Sequence, residues 1–235
     1  MSINIRTIVV ALAFCTAFAF HLSATDVEPV DANEAIQKFL AQPTSSHTYR
    51  GSRRLEASGS GQQGWLDAHT DFTRENGFRY EVTAEGGSGY IRSRVLRSLL
   101  EEERRLIARG GADEASVSPA NYAFAQDGSD ENGLVRVALR PLRKERSLID
   151  GRMFITSENG ELVRVEGRLA RNPSFWITRV NIVRSYRRIN NVLVPVSLES
   201  TAQLRLLGRS SLSMTYHYSE VDEQPVSEGG LPDAR

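Results

Sequence analysis

Acidic and imidazole side chains alternate in one short stretch of the chain. Asp67, His69 and Asp71 are spaced two residues apart, so on a β-strand they would project from the same face. Carboxylate and imidazole groups on one face could begin a site for a hard or borderline metal ion, or act as acid and base. No second element with a matching ligand can be identified from the sequence. We therefore interpret the three residues as the solvated face of a strand.

Two other patterns could bind an anion. The sequence Glu85-Gly86-Gly87-Ser88-Gly89 leads from a strand into a helix, where free backbone N–H groups could hold a phosphate. It matches neither a Walker A nor a dinucleotide-binding motif, and a nucleophile elbow would need glycine two residues after Ser88. We expect a glycine turn in which Ser88 caps the helix. Arg136 and Arg140 share a strand face and could contact lipid phosphate, but we interpret them as solvent-facing.

Histidine and aromatic residues elsewhere carry weaker signals. His217 lies on the serine and threonine side of a predicted strand, and His47 begins a strand, so neither indicates a catalytic role. Phe175-Trp176 follows a turn and could grip a lipid tail at the rim of a cavity, although we interpret the pair as core. Because no complete catalytic motif is present, we predict that the protein is not an enzyme and needs no metal or cofactor.

The charge balance limits the classes of partner. The chain has 235 residues, of which 40% are hydrophobic, with 29 basic and 29 acidic side chains and a formal net charge of +0. These proportions are ordinary for one globular domain. Sequence-independent binding to nucleic acid requires a net or clustered positive field. We therefore predict no nucleic-acid partner, and no polyanion partner is indicated.

The N-terminus has the features of an export signal. Arg6 precedes the mostly apolar run Ile8–Phe20, and small residues follow up to Ala24. A helix over this run would reach only about 20 Å, which is short of the ~30 Å hydrocarbon core of a membrane. We predict a periplasmic protein with cleavage of the signal after Ala24, and cleavage after Ala19 is the alternative. Cys15, the only cysteine, leaves a lipid-anchored protein as the alternative, and cleavage downstream of it would leave a mature chain without disulfides.

Apolar spacing predicts two helices early in the chain and strands elsewhere. Asp31 precedes an amphipathic helix over Ala32–Leu40, and Ser88 begins a second helix over Gly89–Arg109. Alternation of apolar and polar residues predicts roughly nine or ten strands joined by short turns. Asn76-Gly77 is the strongest hairpin signal among these turns.

This number of strands with two helices predicts an α+β fold that is mainly antiparallel β. We expect a strongly curved, unclosed half barrel with an N-terminal helix and an inserted helix that form a lid. The predicted organisation is a signal peptide over residues 1–24, one half-barrel domain over residues 25–222, and a disordered tail over residues 223–235.

The second half of the chain contains a tract that resembles a known family. Leu148–Leu169, with Gly151 and Asn159-Gly160, is followed by Tyr186 and Val194-Pro195-Val196. The export signal, the N-terminal helix, the long antiparallel sheet and the inserted helix resemble the periplasmic outer-membrane lipoprotein carrier (LolA/LolB-like) superfamily, and this tract is similar to the second half of such proteins. The resemblance covers most of residues 25–222. It implies an apolar cavity that holds the acyl chains of lipoproteins under a helical lid, while related members sense envelope stress by binding regulatory proteins.

We therefore expect a periplasmic, non-enzymatic protein that holds an acyl chain in an apolar cavity beneath its two helices. An envelope sensor or protein-interaction module without a lipid ligand is the alternative. The expected partners are a lipid, a lipoprotein or an envelope protein, with only transient membrane contact, and we expect a monomer. Periodicity of the strand and helix faces predicts these lining residues: Phe78, Tyr80, Ile91, Val95, Leu99, Val180 and Ile182.

Overall fold

The structure is a computed structural model, and it describes residues 34–42, 47–175, 177–205 and 208–226. The predicted signal peptide, with Cys15, lies outside the described residues, and so does Trp176. Among the described residues, every helix is too short or too polar to span a bilayer.

Strands dominate the described chain. In chain order the elements are α1 (Glu34–Leu40), β1 (Tyr49–Gly59), β2 (Gln62–Thr73), β3 (Gly77–Gly87), α2 (Gly89–Ile91), a π-helical turn (Arg92–Leu96), α3 (Arg97–Ala108), a 3₁₀ turn (Gly111–Ala115), β4 (Tyr122–Ser129), β5 (Val135–Pro141), β6 (Ile149–Ile155), β7 (Leu162–Leu169), β8 (Ile177–Ile189), β9 (Val192–Leu204), β10 (Gly208–Val221) and β11 (Gln224–Pro225). We call the continuous segment formed by α2, the π-helical turn and α3 the inserted helix.

All the strands form one antiparallel sheet. The order is β3-β2-β1-β10-β9-β8-β7-β6-β5-β4, and β11 pairs with β10. The strands from β4 to β10 follow one another as hairpins, and β1 then pairs with β10, which places the N-terminal hairpins beside the end of the chain. Strands β3 and β4 remain at the two edges, so the curved sheet does not close. The predicted α+β half barrel is confirmed.

Turn chemistry fixes the strand register. Gly77 has a φ of +66°, which an Asn-Gly hairpin turn requires, so the predicted β2–β3 hairpin is confirmed. Between β8 and β9, Asn190 and Asn191 have φ values of +48° and +64°. Asparagine tolerates this left-handed conformation, and two such residues in succession match the right-handed twist of the flanking strands.

The first helix is fitted to one hairpin. Gly160 lies in the β6–β7 turn with a φ of +67°, and a Cβ there would be 2.5 Å from the carbonyl oxygen of Ala35 and from the backbone nitrogen of Phe39. Only glycine allows the turn to approach α1 so closely. Lys38 Nζ also donates a hydrogen bond to the Glu158 carbonyl oxygen at 2.8 Å. The helix therefore depends on the β6–β7 hairpin for its position.

The C-terminal boundary differs from the prediction. Gln224 and Pro225 pair with Val221 and Glu220 as strand β11, and the Val226 N–H donates to the Ser219 carbonyl oxygen at 3.0 Å. The tail expected to begin at residue 223 is therefore folded through Val226. Asp222 and Glu223, with φ values of +49° and +62°, form another tight hairpin turn. The acidic composition of this segment had favoured disorder over a turn.

Candidate functional site

The inserted helix lies across the apolar face of strands β1, β2 and β3. It begins where glycines allow a close approach, because a Cβ on Gly64 would lie 3.1 Å from the Ile91 side chain. Ser88 caps it by accepting a hydrogen bond from the Ile91 N–H, so the expected glycine turn with a serine cap is confirmed. The helix buries four leucines against the sheet: Leu96, Leu99, Leu100 and Leu106.

A carboxylate on the sheet fastens the start of the inserted helix. Glu85 on β3 accepts a hydrogen bond from Arg92 at 2.6 Å and from Arg97 at 2.8 Å. Arg92 lies in the π-helical turn and Arg97 begins α3, so one side chain holds both sides of the irregular turn. These groups are partly exposed, and such pairs usually stabilise by no more than about 1 kcal/mol.

A buried ion pair joins the middle of the inserted helix to the middle of the sheet. Arg53 on β1 donates to both carboxylate oxygens of Glu103 on α3, at 2.6 Å and 3.1 Å. Their side chains are only 2% and 3% exposed. Arg53 also donates to the Tyr49 hydroxyl at 2.7 Å. Its guanidinium lies 4.8 Å from the Phe78 ring centre and 4.7 Å from that of Tyr216.

The electrostatics of this pair favour full ionisation of the arginine. Burial lowers the pKa of Arg53, but the charge and hydrogen bond of Glu103 together with the Tyr49 and Tyr216 hydroxyls outweigh burial, and the pKa lies above its ordinary value. The guanidinium is therefore a permanent charge inside the half barrel.

A second arginine is buried nearby. Arg184 on β8 is 2% exposed and lies 5.8 Å from the Tyr186 ring centre. Burial raises the pKa of the Tyr216 hydroxyl, while the positive charges of Arg184 and Arg53 oppose that increase. Tyr216 thus lies within the electrostatic reach of both arginines. The interior of the half barrel is apolar at its walls and carries ionised groups near its centre.

Sequence reasoning missed this interior cluster, although a signal was present. Arg53 shares its strand face with Leu55 and Ala57, both of which are buried. Arg184 likewise alternates with Ile182 and Tyr186, which face the core. A charged residue on an otherwise apolar strand face indicates a buried partner, because an unpaired buried charge is very costly.

The residues predicted to line an acyl cavity all belong to one hydrophobic cluster. Tyr80 and Val95 pack against it and are partly buried, and Phe78 stacks on Tyr80 with ring centres 6.2 Å apart. Binding of an acyl chain by these residues stays a prediction. The five fully buried members come from β3, the inserted helix and β8: Phe78, Ile91, Leu99, Val180 and Ile182.

A groove of about 660 Å³ lies elsewhere, and none of the predicted lining residues contributes to it. Its side chains alternate along the strands with buried Ala57 and Leu212, so they face away from the inserted helix. Its lining combines polar side chains with apolar surface, such as that of Trp65 and Val183. Its walls come from two cross-strand rows: Trp65, Glu56, Ser213, Glu199 and Val183, and Gln63, Ser58, Ser211, Thr201 and Asn181.

The two carboxylates that alternate with His69 on β2 form ion pairs. Asp67 accepts from Arg54 at 2.9 Å, and Asp71 accepts from Arg79 at 3.0 Å. Within the part of the chain that the structure describes, no group of three or more His, Cys, Asp or Glu residues could hold a metal ion. His69 lies between the two ion-paired carboxylates on the same face of β2.

The interpretation of Phe175 as a core residue was wrong. Phe175 is 72% exposed rather than core, because it lies in the turn before β8 begins at Ile177. Its ring packs under the Arg205 guanidinium, 4.3 Å away. Arg136 and Arg140 are ion-paired, with Asp127 at 3.3 Å and with Asp150 at 2.9 Å.

Several solved structures have a fold similar to that of this chain. The fold is similar to that of a LolA superfamily protein. That protein, from Nitrosomonas europaea, has 10% identity and a TM-score of 0.41, with 85% of this chain and 94% of that chain covered. A DUF1329 family protein from Desulfovibrio piger has 9% identity and a TM-score of 0.39, with coverages of 85% and 92%.

A third similar structure is lipovitellin, with 10% identity and a TM-score of 0.31, which matches 80% of this chain but only 26% of the larger one. No family model matches the chain, and no curated protein matches it. Similarity at this level concerns the path of the chain and does not identify a ligand.

Proposed function

We propose that the protein is an exported, non-enzymatic binding protein that holds the acyl chain of a lipid or lipoprotein between its sheet and the inserted helix. The observation that carries the proposal is an unclosed sheet whose apolar face packs against the inserted helix and α1. A helix that contributes side chains to an apolar interior can move aside without breaking strand pairing. The export follows from the N-terminal signal predicted from sequence.

Burying the leucines of the inserted helix and burying an acyl chain contribute comparable free energies. Withdrawing the four buried leucines of the inserted helix would expose side chains worth about 1.5–3 kcal/mol each, or roughly 6–12 kcal/mol together. An acyl chain of about fifteen methylenes gains about 0.8 kcal/mol per buried methylene, or roughly 12 kcal/mol. A bound acyl chain could therefore replace the lid leucines at little net cost, as reversible carriage requires.

The buried ion pair supplies a means of recognising the ligand's head. If the inserted helix moves, Glu103 leaves with it, and Arg53 stays on β1. A buried guanidinium without a counter-charge is unfavourable, so the carboxylate or phosphate of a ligand would take the place of Glu103. Arg53 would then select anionic amphiphiles over neutral ones.

Two measurements test the proposal. Native mass spectrometry of protein purified from the periplasm, before and after solvent extraction, is expected to show an extractable adduct of acyl-chain mass. Titration with a dansyl-labelled fatty acid is expected to show saturable binding that unlabelled fatty acid displaces. The absence of both results would overturn the proposal, and a polypeptide that stays bound after lipid is stripped would favour the sensor alternative.

A matched pair of double variants tests the role of Arg53. Arg53→Met with Glu103→Leu removes both buried charges, and Arg50→Met with Glu220→Leu removes an exposed pair between β1 and β10. Wild type and the exposed-pair variant are expected to bind a fatty acid more tightly than its methyl ester. The buried-pair variant is expected to lose that preference, and an unchanged preference would exclude Arg53 as the head-group contact.

A further inference from the structure

The two ends of the strands carry opposite charge. At one end, segments 85–89, 114–121, 140–150, 168–179 and 205–209 contain nine basic and four acidic residues. At the other end, segments 49–50, 74–79, 127–134, 156–161, 188–191 and 220–224 contain nine acidic and four basic residues. We call the first the basic end. A chain with a formal net charge of +0 is therefore strongly polarised along its strands.

Four exposed arginines at the basic end form no ion pair with any described residue. Two of them, Arg179 on β8 and Arg209 on β10, flank Gln203 in one cross-strand row. Elsewhere on the sheet, arginines such as Arg54 and Arg152 pair with carboxylates at 2.9 Å and 2.6 Å. The positive potential at the basic end is thus not neutralised locally. The four residues are Arg171, Arg179, Arg205 and Arg209.

Exposed apolar side chains accompany these arginines. Tyr90, Leu142 and Phe175 are the large hydrophobic residues exposed in the described chain, at 42%, 60% and 72%. Tyr90 follows the end of β3, Leu142 follows β5 and Phe175 precedes β8, so all three lie at the basic end. Single exposed hydrophobics are ordinary, but their restriction to one charged end indicates a contact surface.

We propose that the basic end is a docking surface for a membrane leaflet that contains anionic phospholipid. Arginines near such a surface are attracted to the lipid phosphates, and aromatic and aliphatic side chains enter the boundary between head groups and acyl chains. The acidic opposite end would be repelled, which orients the molecule. This inference goes beyond the proposed function, since docking requires no acyl chain inside the half barrel.

The test is co-sedimentation of the full mature chain with vesicles of phosphatidylcholine alone and of equimolar phosphatidylcholine and phosphatidylglycerol. Binding is expected only with phosphatidylglycerol, and it should weaken as salt is raised. Each arginine near an anionic surface is worth about a fivefold change in binding, equal to about 1 kcal/mol. The triple variant Arg171→Gln, Arg205→Gln, Arg209→Gln is therefore expected to bind about a hundredfold more weakly.

The control removes the same charge from the opposite end. Arg50→Gln, Arg74→Gln, Arg79→Gln changes three exposed arginines there and is expected to bind as wild type does. Because Arg205 also contacts the Phe175 turn, Leu142→Ser with Phe175→Ser provides a second variant that keeps every charge and is expected to weaken binding. Circular dichroism checks that all variants fold.

Two outcomes would overturn the proposal. One is no sedimentation of wild type with phosphatidylglycerol vesicles, which is also the result expected if an acidic protein were the true partner. The other is equal weakening by the two triple variants. Saturable fatty-acid binding should be the same in wild type and in the basic-end triple variant. Failure of docking is therefore distinguishable from failure of the proposed acyl-chain binding.

Discussion

Replacing Glu103 by glutamine should destabilise the protein far more than an ordinary change in a helix. The carboxylate is 3% exposed and accepts two hydrogen bonds from Arg53, which is itself 2% exposed. Glutamine preserves the size but leaves the guanidinium charge buried without its counter-charge. Breaking a buried ion pair in this way costs about 3–5 kcal/mol. The whole stability of a domain is only about 5–15 kcal/mol.

Urea unfolding followed by circular dichroism measures this loss as a lower midpoint at unchanged slope. For a domain of this size, about 2–4 °C of Tm is lost per kcal/mol, so a decrease of roughly 6–20 °C is expected. Arg53→Met combined with Glu103→Leu should recover most of the loss, because neither charge then has to be buried. The double variant should thus be more stable than Glu103→Gln alone.

The matched control is Glu101→Gln, two residues earlier on the same helix. Glu101 pairs with Arg104 at 2.9 Å and with Arg105 at 3.2 Å, and both arginines are more than half exposed. Surface pairs of this kind contribute about 0.3–0.5 kcal/mol. If Glu103→Gln cost no more than Glu101→Gln, the aromatic rings around Arg53 would have to be sufficient to stabilise its charge, and the reasoning above would be refuted.

Three further predictions concern stability. Gly133→Ala should lower the free energy of unfolding by roughly 1 kcal/mol, and Gly160→Ala should lower it by more, as measured by urea unfolding. Of these two positions, only Gly160 would bring the new Cβ against the backbone of α1. Asp150→Asn should flatten the acid limb of the stability curve: the Arg168 hydrogen bond lowers the pKa of Asp150, so its contribution is present above about pH 4 and is lost as pH falls. Above about pH 10 stability should decrease with rising pH, and the tyrosinate absorbance of the buried tyrosines should appear together with unfolding, because they ionise more readily in the unfolded chain. Burial raises the pKa of three tyrosines: Tyr49, Tyr216 and Tyr218.

Local signals in the sequence were sufficient for the fold class. Period-two alternation and turn residues depend on only a few neighbouring positions, and they predicted the hairpin at Asn76-Gly77. The inserted helix was predicted to within one residue of its end at Ala108. Its π-helical turn was not predicted, because nothing local distinguishes Arg92–Leu96 from an α-helix. The irregularity accompanies the contacts that Glu85 makes with both of its sides.

The interior ion pair required information that a single strand does not contain. Arg53 and Glu103 are fifty positions apart in sequence, and their contact depends on the crossing of the inserted helix over β1. Phe175 was misjudged for a related reason. An aromatic residue beside a predicted strand could lie on its buried face or in the preceding turn, and a shift of two residues in the start of β8 decides between them.

The polarity of the molecule shows how a net charge can mislead. An antiparallel meander places every second turn at the same end, so charges accumulate when the sign alternates from one turn to the next. Here the β4–β5 and β6–β7 turns are acidic, whereas the β5–β6 and β7–β8 connections are basic. The opposite charges cancel in composition but are separated along the strands in space. A formal charge of zero therefore argues against an anionic partner only when charges of both signs are mixed at each end of the sheet.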